Sequence, residues 1–184
     1  LKQLTTGDHD SYDAIWLPDG DVAFVSNRDR QWALCFWSPM GVLYRMDRDG
    51  GRQTRISANY LQDFTPKLTS DGRIMFSRWE YVDRPVQPIK SIWTMNPDGT
   101  NQMVYFGNMH PGGVFIDARP IPGTDKVLFI NSPGHGRNEH QGSVAIVTGT
   151  QGPDAKSALH NLGGRDFRDP YPLSEDTFLA ASGN

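Results

Sequence analysis

The residues with the clearest capacity for chemistry in this sequence are its single cysteine and its histidines. Cys35 and His135 supply a thiolate and an imidazole, the usual ligands of zinc, and His140 or Asp13 would add a third ligand. The spacing does not show that these residues converge, and a free cysteine is also commonly a small buried apolar residue. A zinc site at Cys35 and His135 is therefore one hypothesis, and a buried thiol is the other.

A second group of candidate residues follows an apolar run in the string SRWEYVD. Guanidinium, carboxylate and indole groups suit a charged or sugar-like ligand. The predicted ligand-binding residues are Arg78, Trp79, Glu80, Tyr81, Asp83 and His135. The alternative is that Arg78 and Glu80 pair with each other or with a neighbouring structural unit, while Trp79 packs in the interior.

The elements that would position these residues repeat along the chain with a period of 52 residues. The string AIWLPDG at Ala14 aligns with PKLTSDG at Pro66, ARPIPG at Ala118 and PYPLSE at Pro170. Asp-Gly pairs tolerate or supply the positive φ that tight hairpin turns require. Hairpins that recur at a fixed period of this length are typical of β-propeller blades.

The sequence therefore predicts an all-β fold, a segment of a β-propeller with about three complete four-stranded blades and partial blades at both ends. The blades are predicted at residues 11–57, 62–107 and 114–162, with a half blade at 166–184. Residues 1–5 (LKQLT) are predicted to be the last strand of a preceding blade. Because three blades are too few to close a ring, we expect the segment to belong to a larger propeller.

Three aspartates share one position in this repeat. Asp13, Asp117 and Asp169 lie at the start of the first strand of a blade, with Thr65 in the corresponding place of the second blade. First strands line the central channel of a propeller, so these carboxylates would ring its mouth and attract a cation. The alternative is that each carboxylate accepts hydrogen bonds from backbone amides at the turn into its strand.

Strand parity predicts which side of the propeller carries function. Strands within a blade alternate in direction, so the turns after the first and third strands lie on one side of the disc. The connections after the second strands and between blades lie on the other side, which we call the loop face. The turns after the first and third strands are tight, whereas the connections on the loop face are long. Binding residues concentrate on long loops held by a rigid scaffold. We therefore expect function on the loop face.

Composition argues against several classes of protein. The 184 residues carry a net charge of −3 and no cluster of Lys or Arg, so no nucleic-acid partner is expected. No apolar run reaches the length of a membrane span, and no signal-peptide pattern occurs in this segment. Nucleophile elbows, phosphate-binding glycine loops and dinucleotide fingerprints are also missing, so no catalytic residue is predicted.

Six strings together resemble the propeller domain of hydrazine synthase alpha-subunit-like proteins, within the wider group of TolB-type, WD-like propellers. In chain order they are LYRMDRDGG, SRWEYVD, MNPDGTNQM, ARPIPG, SPGHG and YPLSEDTFL. Members of that group are larger exported bacterial proteins that often carry c-type haem domains after the propeller. The resemblance implies a periplasmic or secreted location, with either another domain of the same chain or a separate protein as partner.

The sequence also departs from that group. It contains no Cys-x-x-Cys-His string, so we expect no cofactor in this chain, and a zinc ion or c-type haem would be held by a neighbouring domain. Relatives tend to carry two adjacent histidines where Gly134 and His135 stand here. These features favour a non-catalytic scaffold and recognition domain. The alternatives are the propeller part of a hydrazine-synthase-like haem or metal oxidoreductase and, more weakly, a carbohydrate-binding propeller using Trp37, Trp79 and Tyr81.

Overall fold

The computed structural model describes residues 1–81, 90–110, 113–134 and 138–183. These residues form thirteen β-strands and two single 3-10 turns, Gly149–Gln151 and Lys156–Ala158. The strands are β1 (Ser11–Trp16), β2 (Val22–Trp32), β3 (Pro39–Met46), β4 (Thr54–Arg55), β5 (Gln62–Leu68), β6 (Ile74–Trp79), β7 (Lys90–Met95), β8 (Met103–Phe106), β9 (Val114–Pro120), β10 (Lys126–Ser132), β11 (Gly142–Thr148), β12 (Leu159–Pro172) and β13 (Phe178–Ser182).

The strands are arranged as successive antiparallel meanders. The first four form one sheet in the order β1-β2-β3-β4. The others follow the order β13-β12-β11-β10-β9-β7-β6-β5, with β8 paired to β7. A single parallel pairing, between Lys90 and Val114, joins the β5–β8 group to the β9–β12 group. The chain is thus an all-β protein with three four-stranded blades and a half blade, which is a segment of a β-propeller.

The third blade and the half blade share one long strand. The first part of β12 pairs with β11, and its last part pairs with β13. Gly163 and Gly164, both at positive φ, lie within the β11-paired part at a shift in its register, and Phe167 is the residue that pairs with both β11 and β13. The sequence predicted separate strands here, whereas the structure joins them in the continuous run from Leu159 to Pro172.

The predicted strand at residues 1–5 is not formed, because the described residues before Ser11 contain no strand. A strand requires a hydrogen-bonded neighbour, and within this structure the segment has none. Leu4 nevertheless docks on the first blade as Ile56 docks on the second. The backbone of Leu4 lies beside Gly50, and that of Ile56 lies beside Gly99. Assignment of residues 1–5 to a preceding blade remains a prediction.

Apolar side chains fill the spaces between blades. Ala23, Val25 and Leu43 of the first blade pack against Ile74 and Phe76 of the second. A second cluster joins the second and third blades, and a third lies near the loop face around Trp79. The central strands β6 and β10 therefore bury alternate residues against the preceding and the following blade, so both of their faces are covered.

Candidate functional site

Arg78 lies at the end of β6 and is buried in an ion pair. Its Nε and Nη2 atoms donate to the two carboxylate oxygens of Asp63 at 2.8 and 2.9 Å, and Nη2 also donates to Gln102 at 2.8 Å. The guanidinium carbon lies 4.5 Å from the centre of the Trp93 ring. Asp63 is completely buried. This bidentate ion pair links β5 to β6. The structure therefore pairs Arg78 with Asp63 and not with Glu80, and the contact lies in the interior of the fold.

Trp79 is an interior residue with only 2% of its surface exposed. Lys90 places its Nζ atom 4.4 Å from the centre of the indole ring and forms an ion pair with Glu139 at 2.8 Å. Phe36 stacks on the same ring at 6.4 Å, and Tyr81 meets it edge-on at 5.4 Å. Burial lowers the pKa of Lys90, an effect that Glu139 opposes. A ligand would have to displace this cluster to reach Trp79.

The cysteine lies close to Tyr81 on the loop face. Cys35 is exposed, and the Tyr81 hydroxyl donates to its Sγ atom at 3.0 Å. Burial, with a contribution from Cys35, raises the pKa of Tyr81 to about 12, so the phenol stays protonated at neutral pH. Glu80 is half-buried. Asp83 and His135 lie outside the described residues, so their predicted roles stay predictions.

Metal binding was predicted at Cys35 and His135. Within the part of the chain that the structure describes, no three His, Cys, Asp or Glu residues come close enough together to hold a metal ion. Because His135 is not among the described residues, the pair itself remains a prediction.

Among the described residues of the loop face, the connection between β2 and β3 exposes the most apolar surface. We call residues 32–37 (WALCFW) the aromatic tip. The exposed side chains are Trp32, Leu34, Phe36 and Trp37, and Trp37 has 91% of its surface exposed. Trp32 and Trp37 meet edge-on at 5.8 Å. From the sequence, Trp37 was predicted only as a carbohydrate contact, and the six residues of the tip were not predicted to form one exposed surface. Its six consecutive apolar residues, too many for an exposed loop of ordinary composition, were the available signal.

The repeated aspartates occupy one unusual backbone conformation. Asp13, Thr65, Asp117 and Asp169 have φ values of 51, 51, 55 and 46°. At each of them the pairing of the blade's first strand with its second shifts register. Asp is among the few non-glycine residues that tolerate this left-handed region, which explains its recurrence at a bulge.

These aspartates share their surroundings with two cations. Asp117 is 8% exposed, and its pKa is raised to about 6 by burial and by Asp169, while His140, Lys67 and Arg119 oppose the rise. The pKa of Lys67 is lowered by burial and then by Arg119, whereas the aspartates act to raise it. Among the described residues, none of the three carboxylates accepts a hydrogen bond from a turn amide. Lys67 and Arg119 thus place positive charge near these carboxylates without forming an ion pair with them.

Fold and site together define a β-propeller segment with a buried polar interior and an exposed aromatic tip. In its fold the chain is similar to hydrazine synthase from Kuenenia stuttgartiensis, with a TM-score of 0.74 and 21% identity. It is also similar to the structure described as a putative TolB from Agrobacterium tumefaciens, with a TM-score of 0.60 and 21% identity. A structure of puromycin hydrolase shares the fold at a TM-score of 0.54 and 10% identity. The β-propeller fold is thereby confirmed.

The chain matches only part of each of these proteins. The hydrazine synthase alignment covers 97% of this chain and 28% of that one, and the TolB alignment covers 84% and 49%. The puromycin hydrolase alignment covers 97% and 26%. No protein-family model and no curated protein matches the sequence. Helices long and apolar enough to span a membrane are absent from the described ranges.

Proposed function

We propose that this chain is a non-catalytic scaffold and recognition domain of a larger exported bacterial protein, and that the aromatic tip is its contact surface. One observation carries the proposal: the tip exposes Trp32, Leu34, Phe36 and Trp37 together, while the candidate ligand-binding residues Arg78 and Trp79 are buried. A contiguous exposed apolar patch of this kind marks an interaction site. The similarity to the TolB structure supports an extracytoplasmic location.

The composition of the tip fits a protein surface as its partner. Tryptophan is enriched among the residues that dominate binding energy, because it buries a large rigid area at a low entropic cost. An exposed ion pair between Arg30 and Asp8 flanks the tip and supplies the polar rim that such interfaces have. The partner is either another domain of the same chain or a separate protein.

A photo-reactive amino acid at position 37, introduced in the organism that encodes the chain, tests this function. Irradiation should join position 37 to one defined polypeptide segment, identified by mass spectrometry of the cross-linked peptides. Position 16 is the matched control, because Trp16 is also exposed but lies beside the tight turn after β1. The proposal fails if positions 37 and 16 give the same products or if neither gives any.

A second candidate function is the propeller part of a haem or metal oxidoreductase. It is favoured by the extent of the similarity to hydrazine synthase, which spans nearly the whole of this chain. The chain's own residues do not fit such a centre, since it has a single cysteine and no cluster of three metal ligands among the described residues. The zinc or haem would belong to a neighbouring domain. A haem absorption spectrum and elemental analysis of the natively isolated protein distinguish this candidate from the scaffold. Stoichiometric iron or zinc would favour the oxidoreductase and contradict the scaffold proposal.

Carbohydrate binding is weakened as a third candidate because Trp79 is buried. Among the described loop-face tryptophans, Trp37 is the most open at 91% exposed, and Trp32 is 49% exposed. A glycan array that shows binding by the wild-type chain and loss of binding by Trp37→Ala would be required to keep it.

A further inference from the structure

Each first strand of a blade carries a side chain two residues after its bulge, and these side chains form a row across neighbouring blades. Ile15, Lys67, Arg119 and Tyr171 each pair with the equivalent position of the neighbouring second strand, namely Ala23, Met75, Leu128 and Leu179. The four therefore occupy one structural level in successive blades. Consecutive first strands also contact one another, which brings Lys67, Arg119 and Tyr171 together.

The two cations of this row have no counter-ion within the part of the chain that the structure describes. Neither Lys67 nor Arg119 forms an ion pair with a described residue. The Nζ atom of Lys67 donates to the carbonyl of the preceding Pro66 at 3.0 Å. The Nε atom of Arg119 is buried and has no hydrogen-bond partner in the described structure. An unpaired buried donor is costly, so this site has an unmet requirement for an acceptor.

The nearby aspartates do not meet that requirement. Asp13, Asp117 and Asp169 influence Lys67 electrostatically, yet none of them comes within ion-pair distance of it. They lie two residues earlier on their strands, at the bulges, and none of them lines the cavity that Lys67 and Arg119 share. An anion could reach both cations from the side of Pro120, Pro122 and Pro172.

A cavity of about 180 Å³ lies in that direction. Its lining residues are Lys67, Leu68, Arg119, Pro120, Pro122, Tyr171 and Pro172. The two cations are the only charged groups among them, and the remaining walls are apolar or aromatic. An apolar cavity of about 150 Å³ is known to admit a benzene ring. The Arg119 guanidinium is held 5.1 Å from the centre of the Tyr171 ring, which fixes its orientation at the cavity wall.

We propose that this cavity binds a small carboxylate with a planar apolar body. The carboxylate accepts hydrogen bonds from Lys67 and Arg119, and the planar body packs against Tyr171 and the prolines. The site lies at the end of the innermost strands that adjoins the tight turns, so it is separate from the aromatic tip. Arginine suits this role because its planar fork matches the geometry of a carboxylate.

Titration of the 184-residue chain with sodium benzoate tests the proposal, with line shifts in nuclear magnetic resonance spectra as the readout. We expect saturable binding with a Kd of about 1–10 mM, a value appropriate to one ion pair and one buried ring. Benzyl alcohol, which has the ring without the charge, and sodium chloride at equal ionic strength should not reproduce the shifts.

Two variants locate the site. Lys67→Met and Arg119→Met each remove one cation and leave an unbranched apolar side chain, and each should weaken benzoate binding at least about tenfold. Lys156→Met is the matched control, since Lys156 is exposed and lies outside the cavity. Should Lys67→Met fail to fold, Arg119→Met and Arg119→Lys decide the result. Absence of saturable binding by the wild-type chain, or undiminished binding by folded Arg119→Met, would overturn the proposal.

Discussion

Asp117 combines burial, a left-handed backbone and a charge that has no direct partner. Only 8% of its surface is exposed, and its carboxylate accepts no hydrogen bond from a described residue. Around it lie His140, Asp169, Lys67 and Arg119, which act in opposite directions on its pKa. Burial outweighs the two cations and His140, so the pKa rises to about 6. The charged form of Asp117 therefore opposes folding near neutral pH.

Asp117→Asn should stabilise the folded chain at pH 8. The folded-state pKa lies above the unfolded value, so the protonated side chain favours folding at low pH, and this contribution disappears as the pH rises through about 6. A shift of this size corresponds to about 2–3 kcal/mol. Urea unfolding of both chains between pH 4 and pH 8 measures it. We expect equal stability near pH 4 and a growing advantage for the variant above it, and a variant that is less stable at pH 8 would contradict this explanation.

Asp63→Asn should cost about 3–5 kcal/mol of unfolding free energy, because it leaves the buried Arg78 cation without its partner. Asp19→Asn is the matched control, because Asp19 pairs with Arg45 at the surface. Surface pairs contribute at most about 1 kcal/mol. Denaturant unfolding measures the loss of unfolding free energy in both variants. Similar losses at the two positions would show that the buried ion pair stabilises the fold no more than the surface pair does.

For single residues, the sequence predicted which positions are equivalent in the repeat better than it predicted which side chains they contact. The positions of Asp13, Asp117 and Asp169 follow from the repeat alone, and the structure gives all three the same backbone conformation. The partner of Arg78 could not be derived, because Asp63 is fifteen positions away and meets it only through the register of β5 and β6. The exposure of the aromatic tip was likewise hidden, since apolar composition alone predicts burial.

At the scale of elements, a repeated clasp joins one blade to the next. The Asp-Gly turn before β8 packs Gly99 against the carbonyl of Ile56, and Gln102 donates to the same carbonyl at 3.2 Å. The Gly50 turn clasps Leu4 in the same way, with Gln53 donating at 3.3 Å. Because Leu4 and Ile56 are 52 residues apart, the repeat extends to contacts as well as to turns.

Gly99→Ala tests the clasp against a turn that lacks it. Gly99 and Gly20 have nearly equal φ values, 86 and 88°, so alanine suffers similar backbone strain of about 1–2 kcal/mol at both. A Cβ atom at position 99 would lie 2.3 Å from the Ile56 carbonyl oxygen, whereas nothing lies within 4 Å at position 20. We expect Gly99→Ala to lose a further ~1–3 kcal/mol in thermal or denaturant unfolding. Equal losses in the two variants would show that the clasp contributes nothing.

Most strands could be predicted from the sequence because turns and apolar runs are local signals. The exceptions are β12 and residues 1–5, where long-range pairing decides the outcome. The third blade was predicted to end at residue 162 and the half blade to begin at 166, yet Phe167 pairs with both β11 and β13 and the strand continues. Residues 1–5 have a strand-like composition and lack a partner to pair with in this structure.

At the scale of the whole molecule, the half blade leaves one flank uncovered. Leu179 is 57% exposed, while Met75 and Leu128 at the equivalent positions of earlier blades are buried. In those blades the following blade supplies the cover. Stacked repeats depend on such neighbours for burial, so the uncovered flank is a site of association.

We expect the 184-residue chain to self-associate reversibly through this flank and Leu179→Lys to reduce that association. Sedimentation velocity over a range of protein concentrations measures it. Met109→Lys is the control, because Met109 is equally exposed but lies on a loop away from the half blade. A wild-type chain that sediments as a monomer at every concentration would show that the uncovered flank does not mediate self-association.

The propeller itself was predictable, since a period of 52 residues with two turns per repeat admits few other folds. The function assigned to it depends on the aromatic tip, and hydroxyl-radical footprinting tests that assignment most directly. In the 184-residue chain Trp37, 91% exposed, should be oxidised faster than Trp16, 64% exposed. In the natively isolated protein with its partner, Trp37 should become protected and the order should reverse. Oxidation of Trp37 ahead of Trp16 in both preparations would contradict recognition through the aromatic tip.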